Sequence, residues 1–244
     1  MKRFKADLHV HTALSPCAEK EMTPPAIVAE ARSKGLAMIA ICDHNTAGNT
    51  AATQTAAGEA LAVIAGMEVT TAEDIHVLGL FPDAATAVAA AEVVQSTLPA
   101  SSDAEGKFGQ QLLLGPDGRL LGTEPKMLAA SSRLNLGQTI ALIKRHRGLA
   151  VAAHVNRPSF SVLSQLGLFP DDADFDAVEL FVRPRGPKSA VRESGWGRPM
   201  LRSSDAHFLY DVGSGFTELE LAAATFAELS LALRGSGGRR VLHA

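Results

Sequence analysis

Apolar runs in this chain end, again and again, in histidine, aspartate or glutamate. Asp7-Leu8-His9-Val10-His11-Thr12 closes the first run, Asp43-His44 the second and Gly66-Met67-Glu68 a third. Ala153-His154 and Ser204-Asp205-Ala206-His207 follow two later ones. Polar side chains delivered at the C-terminal ends of separate apolar strands are what a parallel α/β barrel requires, because such folds build their sites on that rim. Side chains two apart on a strand share a face, so His9 and His11 can grip one cation or two adjacent ones, with Asp7 behind them on the same face. Asp205 and His207 repeat the spacing.

The rest of the pattern alternates strand with helix. Lys5–Val10 reads as a strand. Thr23 is placed to cap a helix that has Pro24 at its first position and Gly35 just past its end. Leu36–Cys42 is a short continuous apolar run, as expected of a parallel strand covered on both faces. Strands are expected at Leu61–Ile64 running into Met67-Glu68-Val69, and at Ile75–Phe81, Leu149–Ala153, Ala177–Val182, Pro199–Ser203 and Phe216–Leu221. Helices are expected at Ala84–Ser96, Gly137–Arg147, Ser159–Leu166 and Thr225–Arg234. The stretch 99–136 breaks this rhythm. Its Pro116-Asp117-Gly118 between two apolar runs is a hairpin signal, and the segment reads as an insertion or lid within one barrel domain spanning 1–244.

Composition narrows the function. The 244 residues suit one barrel-sized domain, and 46% of them are apolar. A net charge of −3 and few aromatic residues argue against a long nucleic-acid track, although bound cations would still admit an anionic substrate. With no signal peptide or spanning segment in view, and with Cys17 and Cys42 as the two cysteines, a reducing cytoplasm and no membrane association are expected. His146, at a basic helix end, reads as helix-dipole chemistry, and His243 is assigned no role.

Taken in order, these motifs, together with Ile75-His76-Val77-Leu78-Gly79, resemble the polymerase and histidinol phosphatase (PHP) metal-dependent phosphoesterases across nearly the whole chain. The resemblance implies a distorted (β/α)7 barrel, an α/β fold, binding two or three Zn, Mn or Fe ions. It implies that His9, His11, Glu68 and Asp205 hold one metal region, that His44, His76, His154 and His207 complete the others, and that Glu68 bridges.

Cys17 stands where many relatives place a histidine or aspartate ligand. A thiolate is a good zinc ligand and would favour zinc over manganese. Alternatively, Cys17 is a small residue in a Pro-shaped turn, and Glu19 or Glu21 reaches the metal.

The chemistry implied is hydrolysis of a phosphate ester by a metal-activated hydroxide, with Asp205 orienting the water or accepting its proton and Glu68 in the catalytic centre. Arg157 and Arg183 are positioned to meet phosphate oxygens, or else make surface ion pairs. The substrate expected is a small phosphorylated metabolite, a nucleotide or a short oligonucleotide. Two other classes compete. An amidohydrolase-type deaminase also opens with His-x-His but expects a modified lysine bridge. A non-catalytic regulatory module expects missing ligands.

Overall fold

The computed structural model describes residues 1–99, 109–182 and 195–242. The chain begins with β1 (Lys2–Val10), α1 (Pro24–Ser33), β2 (Met38–Ile41), α2 (Thr50–Ala57) and β3 (Ala62–Thr70). It continues through β4 (His76–Phe81), α3 (Ala84–Ser96), β5 (Leu112–Leu114), β6 (Leu120–Thr123), α4 (Leu136–Arg145), β7 (Leu149–Ala152) and α5 (Val162–Leu166). The last elements are β8 (Ala177–Phe181), β9 (Met200–Ser203), β10 (Thr217–Leu221), α6 (Phe226–Leu233) and β11 (Arg240–Leu242).

One sheet runs in the order β11-β10-β1-β2-β3-β4-β7-β8-β9. Its far edge returns to its start. Val10 bridges Ala206 in parallel, His11 N–H donates to the Ala206 carbonyl at 3.0 Å and Ala206 N–H donates to that of His9 at 3.3 Å. The path β1-β2-β3-β4-β7-β8-β9 therefore curls into a nearly closed seven-stranded barrel, with β10 and β11 as an antiparallel flap on β1. Asp7 fastens the seam. Fully buried, it accepts from Ser204 N–H at 3.1 Å, Ser204 Oγ at 2.6 Å and Gly213 N–H at 2.8 Å. Burial pushes its carboxyl up to about 6, against the pull of those donors.

The barrel departs from strict parallel order at β4, which pairs antiparallel with both β3 and β7. Its first residue, His76, consequently lies on the same rim as the last residues of the parallel strands. Leu8, Ala40, Ile64, Leu80, Val151 and Leu201 pack into one cluster, drawing side chains from β1, β2, β3, β4, β7 and β9 as the filling of a barrel requires. A second cluster, with Val69, Phe81, Val94, Ile140 and Ile143, seats α3 and α4 on the sheet.

Local chemistry explains the helix ends. Asn135 and Gln138 form a capping box on α4, and Ser161 and Ser164 form one on α5. At α1 the start rests on Pro24, because the Thr23 side chain makes no capping hydrogen bond. The His146 ring stands at the C-cap of α4, its Nδ1 2.9 Å from the Leu142 carbonyl.

The Pro-Asp-Gly segment forms a hairpin. Leu112–Leu114 pairs antiparallel with Leu120–Thr123, and Gly118 takes the left-handed φ of 81° that the turn demands. This hairpin is tied to loops on the site rim. Leu112 N–H donates to the Ala13 carbonyl at 2.9 Å, Asn49 Nδ2 donates to the Leu112 carbonyl at 2.9 Å, and Leu114 N–H donates to Asn49 Oδ1 at 2.9 Å. Among the described residues, no helix is long and apolar enough to cross a membrane.

Candidate metal centre

The strand ends place His9, His11, His44, Glu68, His76, His154, Asp205 and His207 around one small volume. Glu68 lies at its middle. Its Oε1 is 2.9 Å from His76 Nδ1, 3.0 Å from His154 Nε2 and 3.5 Å from His9 Nε2. Its Oε2 is 3.0 Å from His44 Nδ1 and 3.4 Å from His11 Nε2. The two oxygens of one carboxylate thus face two different sets of imidazoles. The extension beyond β2 fixes this arrangement, since Glu68 N–H donates to the Asp43 carbonyl at 3.1 Å and Asn45 N–H to the Glu68 carbonyl at 2.8 Å.

Partners behind the cluster fix the ring orientations. His9 Nδ1 lies 3.0 Å from Glu179 Oε2, so it carries the proton, donates outward and turns Nε2 inward as a lone pair. His11 Nδ1 lies 2.8 Å from Ser15 Oγ, whose own hydrogen goes to Asp43 Oδ1 at 2.7 Å. The ring must therefore donate to Ser15, which again leaves Nε2 as a lone pair. His207 Nδ1 donates to the Asp205 carbonyl at 2.9 Å, and its Nε2 faces Cys17 Sγ at 3.1 Å.

The result is two lone pairs pointed at each other, His9 Nε2 and His11 Nε2 standing 3.0 Å apart, while His76 Nδ1 and His154 Nε2 lie 3.2 Å apart against the same Glu68 oxygen. Buried acceptors converging in this way repel unless a cation lies among them, so the donor set fits divalent ions. Among the described residues, His9, His11, Glu68 and Asp205 form one group able to hold an ion; His44, Glu68 and His76 form a second, and His11, His44 and His207 a third.

The electrostatics follow from burial. Burial by itself would raise the Glu68 carboxyl, but His76, His9 and His44 hold it well below its ordinary range. Burial takes the His76 imidazole down to about 4 despite the adjacent Glu68. The Cys17 thiol is pushed up by burial, yet hydrogen bonds with His207 and His44 outweigh that and bring it down to about 6. Two of the strand-end residues adopt left-handed backbone, His154 at φ 27° and Asp205 at φ 49°, as does Asn45 beside His44 at φ 54°. Such conformations persist only where the surroundings over-determine them, and they concentrate at functional sites.

Arg157 reaches the same centre. Its Nη1 lies 2.6 Å from Asp205 Oδ2, and its guanidinium stacks 4.2 Å over the Phe181 ring. Arg183 lies outside the described residues. Glu179 escaped the reading of the sequence as a site residue, although it anchors His9 and accepts from His154 N–H at 2.9 Å. Its signal was a single carboxylate inside the short apolar run Ala177-Val178-Glu179-Leu180-Phe181, where burial demands a partner.

Comparison with known proteins agrees with this geometry. A model of the PHP domain matches residues 7–161, and one of a PHP-associated region matches 194–236. The chain is 33% identical over 100 residues to the uncharacterized protein YqxK of Bacillus subtilis, a match covering 39% of this chain and 26% of that protein. Among solved structures, it resembles the lesion-specific endonuclease Q of Pyrococcus furiosus at a TM-score of 0.76 and 22% identity, over 98% of this chain and 58% of that one. It also resembles a Bifidobacterium adolescentis protein assigned as a metal-dependent phosphoesterase, at a TM-score of 0.57 and 19% identity, over 83% of this chain and 87% of that one. This chain therefore spans about a quarter of YqxK and little more than half of the endonuclease. The seven-stranded barrel, the strand-end ligand order and the match over residues 7–161 together place the chain in the PHP domain family.

Proposed function

We propose that this protein is a metal-dependent phosphoesterase that hydrolyses a small phosphorylated metabolite, a nucleotide or a short oligonucleotide. The observation that carries the reading is that Glu68 belongs to two ion-holding groups at once, its two oxygens ringed by five imidazoles, which suits a bridge between adjacent cations. His9, His11, Glu68 and Asp205 would hold one ion; His44, Glu68, His76 and His154 would hold another. His207 and Cys17, with His11 and His44, would hold a third, and the thiolate there favours zinc. Divalent ions in these positions supply charge to offset the phosphate oxygens and lower the pKa of water.

The chain's own residues do the rest. Asp205 orients the attacking water or receives its proton as the new P–O bond forms and the bond to the leaving oxygen breaks. Arg157 pairs with Asp205 at 2.6 Å and offers its remaining N–H donors to a phosphate oxygen. Arg183 follows the strand that carries Glu179, and we assign it the same kind of contact. Residues 99–136 we read as an insertion in one barrel domain. Within it, the hairpin at Leu112–Leu114 is tethered to Ala13 and Asn49 in the loops that follow β1 and β2. The unpaired Cys17 and Cys42 suit a reducing cytoplasm.

Endonuclease Q has been crystallised with a 27-mer duplex carrying an abasic lesion at its active site. A lesion-bearing duplex is therefore worth testing beside small esters. The test is a panel of mononucleotides, 3′,5′-bisphosphates, short oligonucleotides, abasic duplex and histidinol phosphate, assayed on protein of measured metal content. Turnover of at least one member, abolished by chelation, is expected. A full metal complement with no turnover of any member would favour a non-catalytic module.

A further inference from the structure

The loop that follows β7 delivers more than a ligand. His154 opens it, Arg157 N–H donates to the His154 carbonyl at 2.8 Å, and Ser161 Oγ donates to the Arg157 carbonyl at 2.8 Å. Asn156 braces it to β8, donating from Nδ2 to the Phe181 carbonyl at 2.9 Å and accepting from Phe181 N–H at 2.9 Å. At its tip stands Phe160. Its carbonyl accepts from His76 N–H at 2.8 Å, and its ring stacks on the His76 imidazole with centroids 4.7 Å apart and planes 21° apart.

Phe160 sits badly by two ordinary measures. Its φ of 56° is left-handed, which is costly for a bulky side chain, and it is 43% exposed although it lies against a buried imidazole. A residue chosen only to shield His76 would bury its ring. This one keeps ring surface open to solvent on a rim whose other groups are charged or polar.

We propose that Phe160 is the specificity-determining residue of the site and stacks on an aromatic ring of the substrate, so that the substrate is a phosphate ester carrying a nucleobase or similar heterocycle. This inference rests on the phosphoesterase reading for where the phosphate binds. Arg157 and the ligand cluster take the phosphate, and three residues further along the same braced loop Phe160 takes the ring. One aromatic platform reads one base, in keeping with the absence of a basic, aromatic-lined track in the composition. Tyr210, 67% exposed, is the obvious rival, but its ring stacks on Phe208 and touches no candidate ligand.

The test measures equilibrium binding to the metal-loaded full chain by calorimetry, comparing the non-hydrolysable methylenephosphonate analogues of adenosine 5′-monophosphate and of ribose 5-phosphate, which share the phosphonate and differ in the ring. Wild type should prefer the nucleotide analogue. Phe160→Leu should shrink that preference about tenfold, Phe160→Trp should keep it, and Tyr210→Ala should leave it unchanged. Equal weakening of both ligands in Phe160→Leu would mean that the ring only clamps His76, and would overturn the proposal. Loss of the preference in Tyr210→Ala, or no preference in wild type, would overturn it too. Turnover is assayed on the two parent esters, adenosine 5′-monophosphate and ribose 5-phosphate. A binding preference without hydrolysis of either would defeat the phosphoesterase reading and leave the ring-reading role standing.

Discussion

The ligand cluster and the rim around it are built in opposite ways. His9, His11 and Glu68 are at most 1% exposed; His9 sits on β1 and Glu68 on β3, each strand paired on both sides, and His11 follows β1 directly, with Glu179 and Ser15 behind the two histidines. Phe160 and Arg157 stand on a loop, partly open to solvent and held by side-chain braces and two left-handed residues, His154 and Phe160 itself. The cluster has many constraints per residue and the rim has few. On the proposed reading, chemistry that tolerates little displacement falls to the first and choice of substrate to the second.

That contrast can be broken from either side. The largest effect should come from Glu68→Gln, which keeps the shape but removes the charge facing both imidazole sets. Bound metal should fall and turnover drop about a thousandfold or more, read by elemental analysis and steady-state rates. Retained metal would show that Glu68 is a spectator.

Glu179→Gln should cost about 10- to 100-fold in metal affinity or activity, because the carboxylate behind His9 sets which nitrogen faces inward. Competition with a chelator measures it, and an affinity equal to wild type would remove Glu179 from the centre.

Arg157→Ala probes the rim. KM should rise about tenfold with a smaller change in kcat, and an unchanged KM would leave Arg157 as only a partner of Asp205. Cys17→Ser should lower zinc content by one site and weaken the preference for zinc over manganese while activity with manganese persists. Unchanged stoichiometry would mean that Cys17 is not a ligand.

The smallest effect should arise far from both regions. Glu228, bonded to Arg239 at 2.9 and 3.0 Å, is held below its ordinary range chiefly by that hydrogen bond. A depressed carboxyl contributes stability above its unfolded value, and that contribution disappears as pH falls through the folded one. Glu228→Gln should therefore melt slightly lower than wild type at neutral pH, with the difference closing in acid and metal content untouched.

The sequence made the cluster legible and much of its framing not. His9 and His11 declare themselves by spacing, and Asp43-His44, Glu68, His154 and Asp205 by falling where apolar runs end. His76 begins its run, and only the reversal of β4 brings it to the same rim, a relation that no local pattern encodes. The helix Thr50–Ala57 was invisible because Thr-Ala-Ala-Thr-Gln-Thr-Ala-Ala has neither a strong apolar stripe nor good helix formers besides alanine and glutamine. Ser15 drew no assignment from the sequence, yet it accepts from His11 and donates to Asp43, bonds that depend on the folded meeting of two loops.

Anomalous diffraction from crystals of the metal-loaded protein, collected at the zinc, manganese and iron edges, tests the central claim most directly. The account predicts two ions that share Glu68 as a ligand, one held also by His9 and His11 and the other by His44 and His76. A single ion that Glu68 does not touch, or anomalous peaks only outside this cluster, would contradict it.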